Sequence, residues 1–486
     1  MKRASPREKK SAPEVEAPLP VAFVPASNGE TVPRPKTKRD RFAEETFARI
    51  ADENARRLGV SRREFVSGAC GIATGLWVVN QLYGCKGGGA RYDVDAASTL
   101  DAARACEKLA GGPDDFVFDV QTHHVNPAGK WREDDPALRA VVAGFPYSSC
   151  GEADPIQCFG ADHFIREIFV KSDTAVACLT GLPADPARDP LTTEDRAVTR
   201  DLVEKLSGSP RLLLHANVVP ERGSSALDAM QAAAERQKVS AWKVYPSAGS
   251  WRFDDEKIAI PFIEKARTLG VKIICAHRGV SGDAGGYLDF SSPREMVKTA
   301  RAYPDVAFLV YHSGWEPSIV EGAYDEANPR GIDRLIFALR EFPTTNVYAE
   351  LGTTWRGLLA DPTQAAHALG KLLLHLGEDR ILWGTDCIWY GSPQEQLAAF
   401  RAFDIPVRMQ EDLGYPALSA SAKRKILGLN AARVYGVDPA AVRCKIANDD
   451  IVRLRHAMLD GAPLPSVGHH GPRTRRELFT MLRARG

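Results

Sequence analysis

The sequence of 486 residues has little cysteine and almost no net charge. Nine cysteines without a Cys-x-x-Cys pair are too few for a disulfide scaffold and give no sign of a zinc finger or redox motif. The 63 lysines and arginines stand against 62 aspartates and glutamates, so there is no global basic field for nucleic acid. Hydrophobic residues at 44% and charged residues at 26% exclude a mostly disordered or fibrous chain. With these classes excluded, the sequence indicates a globular protein of the size of an enzyme.

The sequence also lacks a convincing membrane anchor. The uncharged run 65–85 contains four glycines together with Asn80 and Gln81, so we expect no stable membrane insertion. The residues 61–66 (SRREFV) in front of it resemble a twin-arginine export motif. Residues 61–85 are therefore either an export signal or a helix that packs on the body of the protein. A periplasmic or extracellular location and a cytoplasmic one both stay open.

Composition and periodicity divide the chain into four segments. Residues 1–60 form a predicted disordered linker with a short amphipathic helix at 41–58, because seven of the first 35 residues are proline. The signal or packing helix at 61–85 follows. The main body spans 114–440, and residues 441–486 form a C-terminal extension with a basic end, to which we assign no function.

Within 114–440, short apolar runs alternate with segments of helical period. The runs lie at 116–121, 174–179, 211–217, 240–245, 271–276, 305–311, 346–350 and 381–385, with predicted helices at 192–206, 224–237, 256–269, 331–341 and 363–376. Eight strand–helix units are the number that a closed (β/α)8 TIM barrel requires. A doubly wound sheet is the alternative, but no Gly-x-Gly-x-x-Gly turn follows the first run. The gap 122–173 is long for one crossover and predicts an insertion over the barrel mouth.

Residues that can bind a metal follow four of the predicted strands. The first strand ends in Gln121-Thr122-His123-His124, the fifth at His277, the sixth at His312, and the eighth at Asp386. The carboxyl ends of barrel strands converge on one mouth. Imidazoles with one carboxylate suit zinc or a similar divalent ion that keeps an open position for water. The pattern therefore predicts a single metal centre at the mouth.

These motifs resemble the amidohydrolase-related branch of the amidohydrolase superfamily, which also contains zinc-dependent decarboxylases. The resemblance covers residues 114–440 and includes the sequence RILWGTDCIW around Asp386 and the closing Asn430-Ala431-Ala432-Arg433. It implies a TIM barrel that holds one divalent ion, Zn²⁺ first and Mn²⁺ or Fe²⁺ as alternatives.

The resemblance also assigns roles to individual residues. The family's first strand normally reads His-x-His, whereas this chain has Gln121-Thr122-His123. By resemblance His123, His277 and Asp386 are metal ligands, and the amide oxygen of Gln121 or a water completes the shell. His312 resembles the acid–base histidine, and its ordinary pKa near 6.5 suits proton exchange. Asp386 is the second predicted catalytic residue.

Evidence for the substrate is limited to aromatic and basic residues after the strands. Trp315, Trp355 and Trp389 follow the sixth, seventh and eighth predicted strands, where they either line a pocket for a flat substrate or pack loops together. Arg278 and Arg356 are candidates to bind a substrate carboxylate, with a structural role as the alternative.

Three functions stay open at this point. The first is a metal-dependent hydrolase that uses a metal-activated water on an amide, ester or lactone of a small aromatic acid. The second is a metal-dependent non-oxidative decarboxylase on the same site. The third is a non-catalytic binding protein on a decayed barrel, which Gln121 keeps open. We expect a small-molecule substrate and no nucleic-acid partner, and we leave a homodimer open.

Overall fold

The computed structural model describes residues 19–24, 34–83, 89, 91–112, 115–280, 288–447 and 449–459. Its ten strands are β1 (Arg91–Tyr92), β2 (Val117–Thr122), β3 (Thr174–Leu179), β4 (Leu212–Asn217), β5 (Ala241–Val244), β6 (Ile273–His277), β7 (Ala307–Tyr311), β8 (Val347–Glu350), β9 (Ile381–Leu382) and β10 (Phe403–Asp404). The short strands β1 and β10 pair antiparallel outside the main sheet.

Strands β2 to β9 form one parallel sheet in chain order. The residues after β9 close it against β2, since the Asp386 amide donates to the Gln121 carbonyl at 2.9 Å and the His123 amide donates to the Cys387 carbonyl at 2.6 Å. Each of the eight predicted runs overlaps one of these strands. The predicted TIM barrel is confirmed, and the doubly wound alternative is wrong.

Helices surround the barrel, and further helices precede its first strand and follow its last. They are α1 (Lys38–Leu58), α2 (Arg62–Ser67), α3 (Ala69–Tyr83), α4 (Ala102–Leu109), α5 (Trp131–Asp134), α6 (Pro136–Val142), α7 (Ala161–Ile165), α8 (Thr193–Ser207), α9 (Ser224–Ala232), α10 (Pro246–Gly249), α11 (Ala259–Thr268), α12 (Leu288–Ser291), α13 (Arg294–Ala300), α14 (Asp333–Glu341), α15 (Thr354–Leu358), α16 (Pro362–His375), α17 (Gln394–Ala402), α18 (Val407–Leu413), α19 (Ala420–Arg424), α20 (Asn430–Tyr435), α21 (Pro439–Ile446) and α22 (Asp450–Leu459).

Capping residues set the bounds of the longer helices. Helix α8 begins after Thr192, whose side chain forms a capping box with Asp195, and it ends at Gly208 in the left-handed region. Helix α1 begins at Lys38, earlier than the apolar period predicts, because Thr37 forms the same box with Asp40. Local polar contacts therefore fix helix ends that hydrophobic periodicity leaves open.

The N-terminal helices pack on the rest of the protein. Most of α3 is buried, and the Asn80 side chain bonds both the amide and the carbonyl of Tyr92. Residues 19–24 are also packed, with Phe23 against Phe47 of α1, so the disorder expected for 1–60 does not extend to them. The reason is that Val21 and Phe23 are apolar enough to be buried despite the surrounding prolines. Residues 1–18, Gly84, Cys85 and the basic end at 460–486 lie outside the described residues.

Across the described ranges, the structure contains no helix of the length and apolar character that crossing a membrane demands.

A buried ion triad fixes the long connection that follows β7. The Lys371 ammonium of α16 lies 2.6 Å from Glu321 Oε2 and 2.6 Å from Asp333 Oδ1. All three side chains are buried, so each charge depends on the others for compensation. The triad therefore ties α14 and α16 to the loop that leaves the barrel mouth after β7.

We expect Lys371→Met to lower the free energy of unfolding by about 3–5 kcal/mol, because it leaves two buried carboxylates without a cation. Urea unfolding at neutral pH measures this loss. The matched control is Lys423→Met, whose partner Asp404 is exposed and whose loss should stay within about 1 kcal/mol. Equal losses in the two variants would contradict the assignment.

Candidate active site

The predicted catalytic and metal-binding residues converge on one end of the barrel. Gln121 and His123 lie at and just after the end of β2, His277 ends β6, His312 follows β7, and Asp386 follows β9. His312 is 1% exposed and Asp386 4% exposed, whereas His277 is partly exposed. The residues therefore form a nearly enclosed polar cluster inside the mouth.

Asp386 is held by donors from three parts of the chain. His123 Nε2 lies 2.9 Å from Oδ1, the Gln121 amide nitrogen donates to the same oxygen at 2.9 Å, and the Thr353 hydroxyl donates to Oδ2 at 2.5 Å. Burial acts to raise the pKa of Asp386, but the His123 hydrogen bond and the neighbouring positive potential hold it below its usual range. Asp386 is the anionic centre of the site.

His312 is fixed in one tautomer by a backbone carbonyl. Its Nδ1 lies 2.7 Å from the Gly352 oxygen, and because that oxygen can only accept, Nδ1 carries the proton. Its Nε2 then presents a lone pair, 3.1 Å from Nδ1 of His277. Burial lowers the pKa of His312 to about 4, so the ring is neutral at neutral pH. His312 can therefore accept a proton at Nε2.

Glu350 helps to hold His312 and Gly352 in position. Its carboxylate accepts the amide of His312 at 3.0 Å and the amide of Gly352 at 2.6 Å, and burial raises its pKa to about 8. A Cβ on Gly352 would collide with both Gln121 Oε1 and Glu350 Oε1. Only glycine leaves room here for the two side chains.

Lys243 places a buried cation within the barrel. Its ammonium lies 3.6 Å from the centre of the Tyr311 ring and 4.8 Å from that of Tyr245. After burial, which is the larger cause for each, this charge further lowers the pKa of His123, His277 and His312. The cluster thus combines neutral imidazoles, one carboxylate and one ammonium.

The donor types fit a divalent cation. His123 and Asp386 are already together, and the buried Oε1 of Gln121 has no hydrogen-bond partner among the described residues, so this amide can offer an oxygen. His277 is instead hydrogen-bonded to His312. Among the described residues, only Cys150, Glu152 and His163 form a trio with all ligand atoms within 4.8 Å, and Cys150 is in a disulfide. The donors at the barrel mouth are therefore of the types that bind a divalent cation, and two of them, His123 and Asp386, already lie together.

The three predicted substrate tryptophans have different surroundings. Trp389 stacks on His123, with ring centres 5.0 Å apart. Trp355 turns instead towards α17, where its indole nitrogen donates to the Gln396 carbonyl and its ring packs on Phe400. Trp315 packs over Gly357 of α15. Trp389 is thus the one of the three with a ring contact to the cluster, and the substrate roles of Trp315 and Trp355 stay predictions.

The structure separates the two candidate arginines. Arg278 is fully buried and forms an ion pair with Glu295 at 2.8 Å, so its charge is already compensated. The guanidinium of Arg356 lies 3.9 Å from the centre of the Tyr390 ring, and its buried Nε and Nη2 have no hydrogen-bond partner among the described residues. The carboxylate-binding role stays a prediction for both arginines, and the ion pair of Arg278 with Glu295 favours Arg356 for it.

Sequence reasoning missed Thr353 and Tyr390. The Thr353 hydroxyl, which donates to Asp386, lies 3.1 Å from the Tyr390 hydroxyl. Thr353 has a φ of 56°, so a strained turn after β8 aims its side chain. A threonine in a turn carries no sequence signal of this kind.

Solved structures with the same kind of barrel resemble the chain at low identity. A 5-carboxyvanillate decarboxylase from Novosphingobium aromaticivorans, solved with manganese and a nitrobenzoic acid, is 14% identical and has a TM-score of 0.45, covering 68% of this chain and 99% of its own. A 2,6-dihydroxybenzoate decarboxylase from Rhizobium is 14% identical with a TM-score of 0.39, covering 66% and 99%. A candidate 2-pyrone-4,6-dicarboxylic acid hydrolase from Pseudomonas putida is 17% identical with a TM-score of 0.40, covering 66% and 97%. Likenesses this distant carry no conclusion about the reaction.

A search of curated protein sequences finds no match. The model of the family described as Amidohydrolase matches residues 181–437, which is more than half of the chain. This match begins after β2 and includes His277, His312 and Asp386. The chain therefore belongs to the amidohydrolase family and is an enzyme, a hydrolase or a carboxy-lyase.

Proposed function

We propose that the chain is a metal-dependent decarboxylase of a small aromatic carboxylic acid. The observation that carries the proposal is the enclosure of the cluster, in which His312 and Asp386 are almost completely buried. Decarboxylation needs no water molecule, whereas hydrolysis consumes one. This difference supports our proposal of decarboxylation over the hydrolysis that the sequence alone suggests first.

An enclosed site also favours the loss of carbon dioxide directly. An ionised carboxylate loses hydration when it enters, and its charge spreads out as the carbon–carbon bond breaks. Aromatic rings next to two of the histidines, Trp389 on His123 and Tyr245 against His277, supply apolar walls for a flat substrate. A small aromatic acid suits both features.

Gln121, His123, His277 and Asp386 would hold the metal. Two imidazoles with a carboxylate and an amide oxygen suit Zn²⁺ first, with Mn²⁺ or Fe²⁺ as alternatives. When bound, the ion supplies the positive charge that holds the substrate carboxylate and a neighbouring oxygen.

The remaining residues position the substrate and move its proton. His312 exchanges a proton through Nε2, since Nδ1 is fixed on the Gly352 carbonyl. Arg356 offers unpaired N–H groups to a carboxylate of the substrate. Asp386 orients His123 and, through Thr353, connects to the Tyr390 ring under Arg356.

Hydrolysis of an ester or lactone is the second candidate. The observation in its favour is that Nε2 of His312 carries no proton, so once it leaves its hydrogen bond with His277 it can take a proton from a water molecule. The two reactions would use the same residues and differ in whether water reaches the cluster.

The reaction itself can be tested on a panel of hydroxybenzoic acids and aromatic lactones with zinc-loaded or manganese-loaded enzyme. We expect carbon dioxide release from an aromatic acid, and a fall of kcat by about 10²- to 10⁴-fold in His312→Gln, which removes the proton-exchanging ring. His367→Gln on α16 is the control. Acid release from a lactone without carbon dioxide would favour the hydrolase instead.

Metal binding can be tested without a substrate. Asp386→Ala should lose the bound ion while the barrel stays folded, because it removes the only carboxylate of the donor set. Gln121→His should tighten zinc, since imidazole is a stronger ligand than an amide. Plasma mass spectrometry and circular dichroism measure the two effects, with the exposed Asp379→Ala as control. Unchanged metal content in Asp386→Ala would remove Asp386 from the ligand set.

The role of Arg356 predicts a defect in binding. Arg356→Gln should raise KM for an aromatic acid about 10- to 100-fold, because a charge-assisted hydrogen bond contributes about 1.5–3 kcal/mol. Arg340→Gln is the matched control, since this exposed arginine also lies over a tyrosine, Tyr324. An unchanged KM in Arg356→Gln would leave Arg356 with a packing role only.

A further inference from the structure

A disulfide lies in the insertion between β2 and β3, close to the predicted metal site. It joins Cys150 and Cys158, eight residues apart. We call residues 145–159 the cross-linked segment. Its regular structure is limited to two short 3₁₀ turns, Pro146–Ser149 and Pro155–Phe159. The cross-link therefore removes much of the conformational freedom that this segment would otherwise have.

Both ends of the cross-linked segment pack on Trp389. The Phe145 ring stacks on the indole at 4.3 Å between centres, and the Phe159 ring meets it edge-on at 5.5 Å. The Tyr147 amide also donates to the Trp389 carbonyl at 2.9 Å. Because Trp389 stacks on His123, the disulfide, the two phenylalanines and the imidazole form one continuous packed unit.

The His123 ring is held at one nitrogen by a hydrogen bond and on its face by this packing. A metal-binding histidine normally bonds a carboxylate, carbonyl or water through one ring nitrogen, and for His123 that partner is Asp386 at Nε2. Nδ1 of His123 is buried and has no hydrogen-bond partner among the described residues. The contacts that orient the ring are Asp386 at Nε2 and the face of Trp389.

We propose that the Cys150–Cys158 disulfide is a positioning element for His123, so that the metal affinity of the site depends on the redox state of this pair. The proposal rests on the metal site of the proposed function. Reduction by a dithiol transfers two electrons and two protons to the pair, giving two cysteine thiols and the disulfide of the reductant. Without the cross-link, the segment no longer holds Phe145 and Phe159 against Trp389. The His123 ring, which stacks on Trp389, then loses its fixed plane.

A histidine–carboxylate contact and an ion pair also tie this segment down. His163 Nε2 lies 3.0 Å from Glu152 Oε1, and Arg132 lies 2.7 Å from Asp154 Oδ2. Glu152 and Asp154 are both more than a third exposed, so solvent weakens these pairs. If they held the segment without help, loss of the disulfide would change nothing at His123.

The test compares wild type with Cys150→Ser/Cys158→Ser in the full-length, metal-stripped protein. The probe is Mn²⁺, measured by calorimetric titration, because it prefers oxygen ligands and avoids the free cysteines that both proteins keep. We expect Mn²⁺ binding to weaken about 10- to 100-fold. We also expect faster hydrogen exchange at the amides of Tyr147 and Val125, which donate to Trp389 and Phe159. Cys444→Ser, an exposed free cysteine, is the control and should match wild type.

A second pair of variants separates positioning from stability. Trp389→Ala should show the same loss of Mn²⁺ affinity with the disulfide intact, and Trp389→Phe should restore most of it, since phenylalanine keeps an aromatic face. Equal Mn²⁺ affinity in wild type and the double serine variant would overturn the positioning proposal and leave the proposed function standing. A wild-type protein that binds neither Mn²⁺ nor Zn²⁺ would overturn both.

Discussion

The closure of the barrel between β2 and the residues after β9 is the constraint on which the site depends. Backbone hydrogen bonds join Gln121 to Asp386 and His123 to Cys387 and Ile388. Because side chains alternate along a strand, Gln121 and His123 project to the same side, and the register places both against the Asp386 carboxylate. A shift of one residue in this pairing would turn both side chains away and leave Asp386 buried without them. The backbone pairing that closes the barrel therefore also assembles the site.

Enclosure then sets the charge state of the cluster. Burial lowers the pKa of His123, His277 and His312 and raises that of Glu350, so these groups tend towards neutrality. Asp386 is the exception, because three donors stabilise its charge. A buried anion among neutral imidazoles is an attractive position for a cation, and a buried guanidinium such as that of Arg356 is attractive to an anion. The electrostatics thus favour a metal on one side and an acidic substrate on the other.

Sequence could predict the barrel and the positions that follow its strands. Eight apolar runs, and polar residues after the first, fifth, sixth and eighth of them, are local patterns, and parallel strands bring their carboxyl ends together. It could not separate Arg278 from Arg356 or Trp389 from Trp355, since those differences depend on which helix or carboxylate each side chain meets across the fold. Thr353 and the Cys150–Cys158 pair were missed for the same reason. A strained turn and a disulfide between two unremarkable cysteines have no periodicity to detect.

Gln121 is the largest departure from the family pattern, and the structure gives it a physical meaning. A primary amide can donate through its nitrogen or accept through its oxygen without any change of charge. Here the nitrogen satisfies Asp386 while Oε1 has no hydrogen-bond partner among the described residues. A neutral histidine at this position would carry one proton, so only one of its two ring nitrogens could donate and the other could only accept. In the proposed metal site, glutamine would be a weaker ligand than imidazole but would bond Asp386 through its nitrogen at the same time, and the contacts that orient His123 would become correspondingly more important for holding the ion.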